Sequence, residues 1–362
     1  MIVRSRQSSW LVLLALAAIL GLVPGQARGL EEYRLTETKS FEVGTSPEIE
    51  LETVNGDVRY TAAPGTQATV TVVTVVEAAD ETEAAEIRRM VPVVLDGKAG
   101  LLTAKADHPD DFWRTLRRRF GRERSISITF EVTGPAGAEG FLSSVSGNAE
   151  VSGADGPFDV QSVSGDVAVE NVKERIDAGS VSGNCDVIEC GDRVRANSVS
   201  GNVTVRGCAS DARMETVSGD IVAADIAGGA EVTTVSGEVE LTGVDGDLSV
   251  SSTSGNVEAE HKAGGIRIET VSGDIWLNTE SDQGMLKAKS VSGNVRLATN
   301  PAHLGHLDLS TFSGDIEVAS DLKGKLPMRA LRANGSISVT VGDGGLDLQI
   351  DTQSGDIVLG VL

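Results

Sequence analysis

The residues best equipped for chemistry in this sequence are serines that recur in one setting. "SVSGDV" at Ser162 to Val167 returns as "SVSGNC" from Ser180, "SVSGNV" from Ser198, "TVSGDI" from Thr216, "TVSGEV" from Thr234 and "TVSGDI" from Thr270. Such a serine could be a nucleophile, and the acid that follows the glycine could be one rung of a metal ladder. A catalytic serine needs a base and an oxyanion hole. The chain has four histidines, His108, His261, His303 and His306, and most repeats carry none. The serines therefore read as structural. After the repeat glycines come Asn148, Asp166, Asn184, Asn202, Asp220, Glu238, Asn256, Asp274, Asn294, Asp315, Ser336 and Asp356, and only Asp220 and Glu238 are neighbouring acids. Calcium wants several oxygen ligands together. Asp220 and Glu238 are thus the candidates for a specific Ca²⁺ site. Loose cation binding by an acidic surface is the alternative, and no other cofactor is expected.

Cys190 and Cys208 lie 18 residues apart, one repeat period. Stacked coils would place them in one column, within the Cα range of a disulfide. The reading is a Cys190–Cys208 disulfide, with two packed thiols as the alternative; Cys185 falls in an apolar column and reads as core. "NPAHLGHLD" brings His303, His306 and Asp308 close in sequence, more as a surface turn than as a metal site. One stretch breaks the chain's acidic rule: "DDFWRTLRRRFGRER", with arginines from Arg114 to Arg124. Phe112, Leu116 and Phe120 have the spacing of one helical face. A basic amphipathic helix of this kind contacts a membrane or a partner through Trp113, Arg114, Arg117, Arg118 and Arg119. The other reading is a charged hairpin loop folded onto the protein's own acids.

The elements that must hold these residues follow from the period. The repeat glycines fall at 147, 165, 183, 201, 219, 237, 255 and 273, then at 293, 314, 335 and 355. A fixed period of this size marks a solenoid, whose units bury their apolar face only against neighbours. Within "GEVELTGVDGDLSVSSTS" (Gly237 to Ser254) two short runs alternate apolar and polar, separated by a turn. The fold class is therefore all-β: a single-stranded parallel β-helix (β-solenoid) of 18–21-residue coils. Gly and Asn or Asp suit a bend at each motif. The parity of the strands does not say whether the valine between the serines points in or out.

Residues 30–140 differ. "LETVNGDVRY" (Leu51 to Tyr60) resembles a degenerate first coil. "DETEAAEIRRM" predicts a helix near 80–90, with Asp80 as N-cap and Glu83 three places on. This region reads as an N-terminal β-rich cap with a basic insertion at 111–124, and residues 141–362 as the repeats. Before it, Arg4 and Arg6 precede an apolar run from Trp10 to Val23 and small residues follow, the order of a signal peptide over residues 1–29. The net charge is −22, and near −25 once Arg4, Arg6 and Arg28 are removed. Such a field argues against nucleic-acid partners. The last segment, "SGDIVLGVL", reads as an open strand edge that a second copy could extend end to end.

The tandem "SVSGDV" and "TVSGDI" coils behind a signal peptide resemble the bacterial "putative adhesin" family, the LiaG/YvlB-like proteins. The resemblance runs from about residue 40 to 362. It implies a parallel β-solenoid, an envelope location and no assigned catalysis, and it transfers no functional residues. The expectation is a non-enzymatic, exported scaffold or adhesin, periplasmic, cell-surface or secreted, binding an envelope or surface component. Alternatives are a β-helix carbohydrate-active enzyme and a self-associating module.

Overall fold

Each coil's alternation of Val, Ile, Leu or Ala with polar residues makes two short strands, and a parallel neighbour buries the apolar set. The computed structural model describes residues 30–109, 111–121, 123–323 and 335–362. The predicted signal segment lies outside the described residues. The described strands form two 15-stranded sheets, and each coil gives one strand to each sheet. Neighbouring coils pair in parallel and in register, as in Phe158↔Ile176, Ile176↔Val194 and Val167↔Cys185. Val167, Cys185, Val203, Ile221 and Val239 form one buried column, and Ile176, Val194, Ala212, Ala230 and Leu248 face it from the other sheet. Burying one Val or Ile side chain contributes roughly 1.5–3 kcal/mol. The column repeats that gain at every rung. This is the expected β-solenoid.

The first coil does precede the cap. Glu48–Asn55 and Val58–Ala63 pair directly with Glu139–Ser146 and Ala149–Ser152. Residues 64–138 are thus an insertion between two stacked coils. Both sheets run on into it: Leu101–Ala106 pairs with Glu48–Asn55, and Ser125–Pro135 with Val58–Ala63. Gln67–Ala78 then adds antiparallel to Ser125–Pro135, and Glu31–Glu42 antiparallel to Gln67–Ala78.

Two helices belong to this end. In α1 (Glu81–Arg89) Asp80 accepts the Glu83 N–H at 2.9 Å, the predicted N-cap, and the Glu83 carboxylate reaches back to the Ala79 N–H at 3.1 Å, one residue before the cap. In α2 (Phe112–Phe120) Phe112 and Leu116 are buried. The basic insertion is a helix rather than a hairpin loop.

The C-terminal end departs from sequence order. Gln283–Ser292 pairs with Gly345–Ser354, which pairs in turn with Leu304–Ser313. Val295–Thr299 pairs with Ile357–Val361, and that strand with Ile316–Val318. The last coil of the chain is threaded between the two coils before it. The expectation of an open edge at "SGDIVLGVL" is therefore corrected: Ile357–Val361 has a partner on both sides. The edge strands at this end are Ile316–Val318 and Ser336–Thr340.

Candidate functional site

The repeated corner joins a strand of one sheet to a strand of the other, and three of its residue types bond to the next coil. The first Ser or Thr is buried. Ser162 Oγ donates to the Gly147 carbonyl at 2.8 Å, Ser180 to Gly165 at 2.9 Å, Ser198 to Gly183 at 2.9 Å and Thr216 to Gly201 at 3.1 Å. The Asn or Asp after the glycine accepts through Oδ1 from the backbone N–H one coil on. Asn148 receives Asp166 N–H at 3.0 Å, Asp166 receives Asn184 at 2.8 Å, and Asn202 receives Asp220 at 2.9 Å. The glycine itself has no room for a side chain. A Cβ on Gly165, Gly183 or Gly201 would overlap the carbonyl of the glycine one coil back. Close approach, rather than a left-handed backbone, fixes glycine there. The stacking order of these glycines ends 293, 355, 314, which repeats the threading of the last coil.

The valine between the serines faces outward. Val145, Val163, Val181, Val199, Val217, Val235, Val271 and Val291 are 41–50% exposed, and Phe312 at the far end of the row is 93% exposed.

Glu238 interrupts the Asx ladder. It donates its own N–H to Asp220 Oδ1 at 2.9 Å, but its side chain is too long to repeat the bond to Asn256. One Asp220 oxygen is therefore committed to backbone. Both acids line a shallow cavity of about 310 Å³ with Glu240, Asn256, Glu258 and Trp276. Among the described residues no group of three or more His, Cys, Asp or Glu could hold a metal ion.

The cysteine register is as expected, with Cys190 and Cys208 as Cα partners in parallel strands. All three cysteines are buried thiols. In-register parallel neighbours point the same way about 4.8 Å apart, beyond the usual Cβ spacing of a disulfide at about 3.8 Å. The Cys190 thiol contacts the Asp192 and Glu174 carbonyls, and Cys208 those of Asp192 and Ser210. Burial pushes the Cys190 thiol up to about 11, so it stays protonated.

The same column reaches His261, which is buried. Its Nε2–H donates to the Gly246 carbonyl at 2.8 Å, and Nδ1 faces Thr279 Oγ1 at 3.4 Å. Thr279 Oγ1 already accepts the Ser281 N–H, so its own hydroxyl hydrogen is available to Nδ1. Burial lowers the His261 pKa and favours neutral imidazole. His306 bonds Thr340 at 3.3 Å rather than joining His303.

In the cap, α2 divides its charges. Arg119 pairs with Glu86 at 2.9 Å, and Arg124, just past the helix, with Glu83 at 2.8 Å. Arg114, Arg117 and Arg118 are exposed and have no ion-pair partner among the described residues. Trp113 is 37% exposed and stacks on His108 at 5.4 Å between centroids. The basic segment is thus a helix whose cations are partly tied to the protein's own acids, Glu86 and Glu83.

Residues 188–359 match the family model of Toastrack DUF4097. That stretch is similar to a Toastrack domain. The Toastrack match begins inside the strand Cys185–Cys190 and ends inside Ile357–Val361, so it takes in the threaded last coil. No curated protein matches the chain. Among solved structures it is similar to a "putative lipid binding protein" from Parabacteroides distasonis, at 11% identity and TM-score 0.34, over 90% of this chain and 96% of that one. It is also similar to a "putative adhesin" from Parabacteroides merdae, at 13% identity and TM-score 0.27, over 90% and 95% of the two chains. A third is a "putative adhesin" from Bacteroides fragilis, at 14% identity and TM-score 0.21, over 90% and 97%.

Proposed function

We propose that this protein is a non-enzymatic, exported repeat scaffold of the bacterial envelope or cell surface, of adhesin type. One observation carries the reading. The polar side chains that recur most often, the corner Ser or Thr and the Asn or Asp, are mostly consumed by bonds between coils. A stack built this way is a rigid rod that presents acidic outer columns and holds no poised nucleophile. Its partner is an envelope or surface component, and the reading needs no cofactor.

A glycan and envelope-component binding screen on the purified chain, with and without Ca²⁺, tests it together with an assay for turnover of envelope polysaccharides. Binding without turnover is expected. Turnover abolished by a single substitution would sink the reading.

A second reading, a β-helix carbohydrate-active enzyme, has one observation in its favour. Glu240 and Glu258 are register partners, and Glu258 is itself the partner of Trp276. Parallel register partners have Cα atoms about 4.8 Å apart, so the two side chains are close enough to reach the carboxyl separation of about 5–5.5 Å of a retaining glycosidase. If that reading holds, Glu240→Gln and Glu258→Gln each abolish turnover.

A further inference from the structure

We propose that the outer face of α2 docks this protein to an anionic lipid membrane. The proposal rests on the exported-envelope reading for where such a membrane is met, but the vesicle measurement below stands apart from it.

The helix is built for two environments. Phe112 and Leu116 turn inward and are buried, which fixes α2 on the cap. Arg114, Arg117 and Arg118 stand at i, i+3 and i+4 and so share the opposite face, with Trp113 beside them. The nine residues of α2 contain four arginines and no acid. Among the described residues, only Arg119 of those four pairs with an acid, Glu86. Guanidinium groups match phosphate bidentately, and an indole partitions to the headgroup level of a bilayer. Stacking on His108 at an interplanar angle of 15° holds the Trp113 ring in place.

The path of the chain brings an independent argument. Glu31 is the register partner of Ala78, and Glu77 is the partner of Ser125, the first strand residue after α2. Glu31 therefore lies about two strand spacings, roughly 10 Å, from the end of the α2 segment. In the sequence, the apolar run Trp10 to Val23 comes immediately before. Whether that run is removed or kept, the first described strand begins within about two strand spacings of the end of the α2 segment. A membrane that receives the chain would meet the α2 face first.

The net charge of −22 does not oppose this. Charges farther than about 8–10 Å are screened at physiological salt. Acids of distant coils therefore act only weakly at the α2 face; the near acids are Glu31, Glu32 and Glu77 of the cap, within about two strand spacings of the end of the α2 segment.

The test is co-sedimentation of residues 30–362, which contain every described strand and helix, with vesicles of phosphatidylcholine containing about one-third phosphatidylglycerol. Binding is expected to these vesicles, not to phosphatidylcholine alone, and to fade between about 0.1 M and 1 M salt. Arg114→Gln/Arg117→Gln/Arg118→Gln should weaken binding on the order of a hundredfold, at roughly fivefold per cation near the surface. Arg267→Gln in the coils should leave it unchanged. An unaltered urea midpoint shows that the triple variant is folded; if it is not, Trp113→Ala and the salt series supply the same discrimination. Absence of binding at low salt, or equal binding by the triple variant, overturns the proposal. Displacement by soluble polyphosphate with no effect of Trp113→Ala would also overturn it, because the occupant would then be a soluble polyanion.

Discussion

Two kinds of corner occupy the same edge of this molecule. The repeated corners join a strand of one sheet to a strand of the other through S-V-S-G-N/D. Between Leu101–Ala106 and Ser125–Pro135, the same crossing is made by the segment that carries α2. At the repeats, hydroxyls and Asx oxygens reach the neighbouring coil. At α2, three cations reach nothing in the described structure. Polar groups that recur at every period serve the stack, because only the next coil offers a partner at every period. Polar groups that appear once, outside the period, are free for something else.

The comparison breaks most sharply at a repeat glycine. Gly201→Ala puts a Cβ into the Gly183 carbonyl and should cost about 3 kcal/mol, the upper range for overpacking, in urea unfolding. An equal midpoint for Gly201→Ala would mean that the corners are not in van der Waals contact.

Next in size is the Asx ladder. Asn184 accepts the Asn202 N–H at 3.0 Å, and Asn184→Leu should cost about 0.5–1.5 kcal/mol, the net worth of that exposed bond. Glu238→Asn sharpens the same point in the other direction. It restores the missing acceptor for Asn256 and should stabilise by about 0.5–1 kcal/mol.

His261 makes one coil pH-sensitive. Its folded pKa lies below the ordinary 6.5, so the unfolded chain binds the proton more readily. Stability is then complete above about pH 6.5 and falls as pH drops through that value toward the folded pKa. His261→Val, which copies the Val244 rung beneath it, should flatten the urea-midpoint profile between about pH 7 and pH 5. A profile unchanged by the substitution would place the sensitivity elsewhere.

A smaller effect is expected at Glu189, a non-glycine residue at φ 56° where the coil beneath it in sequence order has Asn171 and the coil above has Gly207. Glu189→Gly should stabilise by about 0.5–1 kcal/mol, by relieving the left-handed backbone.

The period made most of the fold legible. It gave the coil, the buried columns, the cysteine register and the first coil at Leu51 to Tyr60. The threading of the last coil was not legible. Ile316, Ile357 and Val295 are interchangeable apolar residues in equivalent places, so nothing in the pattern says which stacks on which. The outward valine was hidden because alternation breaks at the corner, and parity fails there. The disulfide expectation used Cα spacing alone, whereas the direction of the Cβ vectors also enters that chemistry. The α2 segment was visible as the one basic stretch. Which of its arginines are spent was not, because Glu83 and Glu86 come from another helix.

The central claim is that periodic polar residues hold the stack while aperiodic ones at α2 face outward to a partner. The most direct measurement takes Asn184→Leu and Arg114→Gln/Arg117→Gln/Arg118→Gln through both urea unfolding and phosphatidylglycerol-vesicle binding. The account predicts a crossed result. Asn184→Leu lowers the unfolding midpoint and leaves binding intact, while the triple variant keeps its stability within about 0.5 kcal/mol and loses binding. Both variants losing stability together, or neither losing binding, would contradict it.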